Sequence, residues 1–216
     1  LKKVLEQQGI TPGVGDEGGF TIQGINPSST SPYDKGRKGG VKNEDGLKFL
    51  MAAIEDAGYT AGRDVMLALD VAASEFYNPA TGRYALKCEN KELTATELSL
   101  LYQDWLKKYP IVSLEDPFAQ DDWEAWQNFN SQLFTKNSKL LLVGDDLLTT
   151  NIQRLEQGIA THAANAILIK PNQIGTLSET IDCVQRAQVA GMKVIISNRS
   201  GETMDSFIAD LAVAVG

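Results

Sequence analysis

The sequence predicts an α/β protein built as part of a (β/α) barrel, and three observations carry that expectation. Short apolar runs recur along the chain, segments of helical periodicity lie between them, and no glycine-rich phosphate turn of the GxGxxG or GxxxxGK[ST] kind occurs. Alternating strands and helices imply a parallel sheet with helices outside it. An open doubly wound sheet usually carries a glycine-rich turn early, so the missing turn favours the barrel.

The elements follow in chain order. "LKKVLEQQGI" has the spacing of an amphipathic helix, and "PGVGDE" (12–17) reads as the first strand. Residues 21–40, rich in Gly, Ser and Pro, are too long for an ordinary connection and read as an inserted flexible loop, a solvated excursion in the first reading and, in the second, a lid whose Lys35, Arg37 and Lys38 touch an anionic substrate on closing. "NEDGLKFLMAAIEDAG" is a helix ending at Gly58. "VMLALD" (65–70) is the second strand, followed by a hairpin around "NPATG" within 74–87. Thr94 and Glu97 stand in capping-box spacing at the start of the next helix, which Pro110 closes. The remaining strands are "IVSLED" (111–116), "LLLVGDD" (140–146), "AILIK" (166–170) and "KVIISN" (193–198). Helices beginning at "DDWEAW", "TNIQRL", "TLSETI" and "ETMDSF" follow them in turn. Six strands fall short of the eight of a closed barrel, and both ends of the chain fall inside helices, so the sequence is expected to be a piece of a longer one.

Composition narrows the function. The 216 residues are 43% hydrophobic and 22% charged, enough to bury a sizeable core, and the net charge of −8 without a basic stripe argues against nucleic acid as a partner. No apolar stretch approaches the roughly 18 residues of a membrane span, so a cytoplasmic protein is expected. Cys88 and Cys183 are far apart and form no CxxC pair, which reads as two reduced, packed thiols. The single histidine, His162, reads as a residue at a helix end, so any metal must be held by oxygen. Trp105, Trp123, Trp126 and Phe129 stand at helical spacing and read as core or helix-packing contacts.

The strand ends carry the chemistry. In order they bear Asp16 and Glu17, Asp70, Glu115 and Asp116, Asp145 and Asp146, Lys170, then Asn198 and Arg199. In a barrel these ends converge on one face. Carboxylates on three successive strands repel one another, and a divalent ion, Mg²⁺ by preference for oxygen donors, relieves the repulsion. A lysine facing such a cationic centre is favoured in the neutral form that serves as a base. Arg199, Ser200 and the helix-end amides expected beside them suit a phosphate. The residues therefore suggest metal-assisted proton abstraction next to a carboxylate, with Glu17 opposite Lys170 as a partner acid.

"GDEGGF", "ALDVAASEFY", "SLEDPFAQDDW", "GDDLLTTN", "LIKPNQIGTLSET" and "RSGETMDSFIADL" together resemble the enolase family in order and spacing, over nearly the whole chain outside the loop. The resemblance implies an incomplete (β/α)8 TIM-type barrel in which residues 1–216 are part of the C-terminal catalytic domain, with the N-terminal domain and last strand absent. It implies Mg²⁺ held by Asp70, Glu115 and Asp145. Lys170 would be the base taking the C2 proton of 2-phosphoglycerate, Glu17 the acid assisting loss of the C3 hydroxyl, and Arg199 and Ser200 the phosphate contacts. It further implies a glycolytic lyase and a homodimer, and that the 216 residues alone would be inactive. Asn198 departs from the family's histidine and is expected to alter a contact on the substrate side. Two other readings are a superfamily member dehydrating a non-phosphorylated acid sugar, against which Arg199 and Ser200 speak, and a non-catalytic enolase-like binding protein, prompted by Asn198 and the loop.

Overall fold

The computed structural model describes residues 1–15, 18–22, 41–135 and 139–216. Along the chain the elements are α1 (Lys2–Gln7), β1 (Gly13–Val14), β2 (Phe20–Thr21), α2 (Asn43–Asp56), β3 (Leu67–Asp70), β4 (Tyr77–Asn78), β5 (Arg83–Leu86), β6 (Lys91–Leu93), α3 (Ala95–Lys108) and β7 (Ile111–Glu115). They continue with α4 (Trp123–Thr135), β8 (Leu141–Gly144), α5 (Ile152–Thr161), β9 (Ala166–Ile169), α6 (Pro171–Ile174), α7 (Leu177–Val189), β10 (Lys193–Ile196) and α8 (Phe207–Ala214). These residues divide into two compact units, Leu1–Met66 with Arg83–Pro110, and Leu67–Gly82 with Ile111–Gly216.

In the first unit Val4, Leu5 and Ile10 bury against Val41 and Phe49. The capping box at α3 forms as its spacing predicts: Thr94 Oγ1 accepts from the Glu97 amide at 3.2 Å, and Glu97 Oε2 accepts from the Thr94 amide at 2.8 Å. Behind that start, α3 turns Leu98, Tyr102 and Trp105 inward, with the Tyr102 and Trp105 rings edge to face at 6.0 Å. β5 and β6 pair antiparallel.

The expected first parallel strand is corrected by this unit. Gly13 and Val14 pair antiparallel with Thr21 and Phe20, because Gly15 and Gly19 turn the chain back at once through a 2.8 Å amide-to-carbonyl bond. Val14 is 66% exposed, whereas a strand of a parallel barrel must bury side chains on both faces.

The second unit holds a five-stranded parallel sheet in the order β10-β9-β8-β7-β3. Neighbours in the sheet are neighbours among its strands in sequence, with no reversal of direction, so this is a singly wound sheet. It is an incomplete TIM-type barrel, with five parallel strands among the described residues where the sequence reading counted six. Crossovers that always step the same way and keep the usual right hand carry their helices on one face of a sheet, and here α7 packs on β9 and β10 and against α5. The other face carries Leu141 and Val143 of β8, Ala166 and Leu168 of β9 and Ile195 of β10, which pack together.

Helix packing accounts for three of the four expected core aromatics in this unit. Trp126 and Phe129 of α4 are fully buried and meet Phe118 edge to face at 6.3 and 5.5 Å. Trp123 is half-buried under the Arg154 guanidinium, 5.2 Å from its ring. The turn expected at "NPATG" also forms: the Gly82 amide donates to Asn78 O at 2.8 Å, and β4 and β5 flank it. His162 ends α5 in the left-handed conformation, exposed, with its carbonyl accepting from Asn130 Nδ2 at 2.7 Å. Cys88 and Cys183 are free thiols, Cys183 buried as expected and Cys88 exposed, which corrects its reading as packed. Among the described residues no helix is long and apolar enough to cross a membrane.

Candidate metal centre

Register places the predicted acids on one face. Asp70 at the end of β3 is the direct partner of Glu115 at the end of β7, and Glu115 in turn pairs with Val143. Side chains alternate along a strand, so Asp145, two residues past Val143, belongs to the same face as Glu115. Val143 pairs with Ala166, and Lys170, four residues on, keeps that parity. The row Val143 to Asp145 and the row Ala166, Leu168, Lys170 therefore begin as the apolar interior and finish as charge.

The Lys170 ammonium lies 2.5 Å from Asp145 Oδ2, both groups largely buried. Among the described residues the carboxylates form two clusters in which one oxygen from each member lies within 4.8 Å of the others: Asp70, Glu115 and Asp116, and then Asp116, Asp145 and Asp146. The three ligands implied by resemblance are thus divided between the clusters, and Asp116 is common to both. Asp116 has a different task. It is 2% exposed, and its two oxygens accept the amides of Asp145 at 3.1 Å and Asp146 at 2.8 Å, which ties the end of β7 to the turn after β8. Its own φ of 41° swings it out of the strand's alternation to reach them.

The electrostatics follow from crowding. Burial first, then the charges of Asp70 and Asp145, push the Glu115 carboxyl up to about 7. Burial likewise takes Asp116 up to about 7, against the pull of the two amides it accepts. Asp70 and Asp146 are raised as well, partial burial leading and Asp145 adding repulsion in both. Among the described residues the Glu115 carboxylate accepts no hydrogen bond, while its backbone carbonyl accepts the Val71 amide at 2.9 Å. An oxygen-only set that is short of positive charge fits a hard divalent cation.

Three side chains to which the sequence assigned no role of their own hold this arrangement together. Besides Asp116, Gln173 donates its amide to Asp145 Oδ1 at 3.2 Å, and Thr150 accepts the Lys170 backbone amide at 2.8 Å while bonding Gln173 Oε1 at 2.9 Å. The paired acids of "LEDP" were a signal for Asp116, whereas nothing in the local sequence marks Thr150 or Gln173.

The remaining predicted residues stand apart in what can be said of them. Glu17, like the loop beyond Ile22, lies outside the described residues. Arg199 and Ser200 are exposed, and Asn198 Nδ2 donates to Arg199 O at 3.0 Å. The helix expected from 202 begins only at Phe207, so the amides of a helix start do not adjoin Ser200. A tight turn takes their place, with the Glu202 amide on Arg199 O and Gly201 at a φ of 78°.

A singly wound parallel sheet whose carboxyl end gathers acids from three successive strands and a lysine from the fourth defines a TIM-type barrel protein able to hold a divalent cation. The chain belongs to the enolase family: the family model described as "Enolase, C-terminal TIM barrel domain" matches residues 1–216. It is a member of the enolase superfamily, whose proteins are generally lyases.

Proposed function

We propose that the protein is a Mg²⁺-dependent lyase that interconverts 2-phosphoglycerate and phosphoenolpyruvate, and that residues 1–216 are part of the catalytic barrel domain. The observation that carries this reading is the shared face of Asp70, Glu115, Asp145 and Lys170 in a chain of this family. Asp70, Glu115 and Asp145 would hold the ion. When bound, it neutralises charge that builds on the substrate carboxylate as the C2 proton leaves. Lys170, as the free amine, takes that proton onto Nζ. Glu17 gives a proton to the C3 hydroxyl, which departs as water while the C2 electron pair becomes the new double bond. Arg199 and Ser200 hold the phosphate, and Asn198 meets the substrate beside them. The same reading makes the protein a cytoplasmic homodimer acting in glycolysis and gluconeogenesis.

The test is the appearance of the conjugated product from 2-phosphoglycerate by the native polypeptide, with Mg²⁺ and then with excess chelator. Lys170→Ala is expected to lower kcat by roughly 10²–10⁴-fold and to abolish exchange of the C2 hydrogen with solvent. Exchange that survives this change removes Lys170 from the role of base. Turnover of a non-phosphorylated acid sugar in place of 2-phosphoglycerate would move the reaction elsewhere in the superfamily.

A further inference from the structure

We propose that Thr150 and Gln173 form a positioning pair that holds Asp145 by one oxygen and Lys170 by its backbone, leaving Asp145 Oδ2 as the one atom for which Lys170 and a divalent ion compete. The inference rests on the reading of Asp145 as a ligand and Lys170 as a base.

The hydrogen bonds run in one direction. Lys170 N–H donates to Thr150 Oγ1, so the hydroxyl's single proton goes to Gln173 Oε1. That choice orients the amide, with its carbonyl toward Thr150 and its NH2 toward Asp145 Oδ1. Asp145 Oδ2 is left to the Lys170 ammonium, which closes the ring of four residues.

Backbone geometry at both loops supports the same assignment. Thr150 is fully buried at a φ of 53°, a conformation that a β-branched residue keeps only where its surroundings over-determine it. Gln173 is carried on the single turn of α6, started by Pro171 and closed by the Gln173 amide on Lys170 O at 2.9 Å. The Gln173 backbone is thereby tied to Lys170. With Oδ1 oriented by the amide, Oδ2 is the oxygen that Asp145 turns toward an incoming ion, and coordination there displaces the lysine.

Positioning is read first in metal-free crystals of Thr150→Val, Gln173→Leu and the conservative Thr150→Ser. Valine keeps the branch and loses the hydroxyl, so the Gln173 amide is expected to leave Asp145 and the carboxylate to turn, whereas serine preserves both. An Asp145 carboxylate that stays in place in both Thr150→Val and Gln173→Leu overturns the proposal. Mn²⁺ uptake by the native polypeptide, followed by paramagnetic resonance, is the second measurement. Each of Thr150→Val and Gln173→Leu is expected to weaken uptake by about tenfold. The double variant should lose less than the sum of the two single losses, since Thr150 and Gln173 act on Asp145 within one hydrogen-bonded ring. Additive losses, or affinities within about twofold of the unmutated protein, overturn the proposal. A displaced Asp145 in the crystals with no Mn²⁺ uptake by the unmutated protein supports the positioning and sinks the metal-lyase reading.

Discussion

At the scale of single residues, crowded carboxylates govern the centre. Glu115 and Asp116 ionise near 4.5 and 3.8 in an unfolded chain and at about 7 in the folded one, so between those values the native state holds protons that the unfolded state has lost. Stability of the metal-free protein should therefore fall as pH rises from 5 to 8. Coupling and partial solvent access hold the loss to the order of 1–3 kcal/mol. Urea midpoints in chelator at the two pH values check the sign, and a higher midpoint at pH 8 would contradict it. Asn198 offers a second test at this scale. Its amide donates to a backbone carbonyl and carries no titrating charge, so Asn198→His is expected to alter kcat/KM and add an ionisation near the usual histidine range of about 6.5 to the pH profile. Identical profiles would remove residue 198 from the substrate side.

At the scale of elements, the end of β8 is the tightest point under the centre. A Cβ on Gly144 would lie 2.9 Å from Leu148 Cγ, and Leu148 is fully buried and cannot give way. Gly144→Ala should cost roughly 1–3 kcal/mol and weaken metal binding, since Asp145 is the next residue. Chemical denaturation with parallel Mn²⁺ titration checks both halves of that expectation. The strands β3 and β7 to β10 were legible in the sequence within a residue or two at their ends, because each is an apolar run closed by a polar residue. The helix from 202 was not. Its first residues bond away from the helix, Glu202 Oε2 accepting from Asn172 Nδ2 at 2.5 Å, and the apolar helix begins at Phe207.

At the scale of the whole molecule, the cation links folding to chemistry. Mg²⁺ at a hundred times its dissociation constant should stabilise the protein by about 2.7 kcal/mol. The gain should be larger at pH 8 than at pH 5, because the acids must lose their protons to bind. Thermal unfolding with and without chelator at both pH values measures it, and a midpoint indifferent to Mg²⁺ at pH 8 would count against a metal centre.

The sequence by itself determined that the fold is α/β, located five of its six expected parallel strands, and placed acids and a lysine at their carboxyl ends. Those are local properties, readable from apolar patterning and from the residue that ends each run. Only the tertiary structure decided that Gly13 and Val14 form a hairpin outside the parallel sheet, that Asp116 anchors two amides, and that Thr150 and Gln173 connect Lys170 to Asp145. Each of these depends on strand register and on backbone turns at positive φ. Residues 29 and 23 positions apart in sequence meet there for reasons that no local pattern encodes.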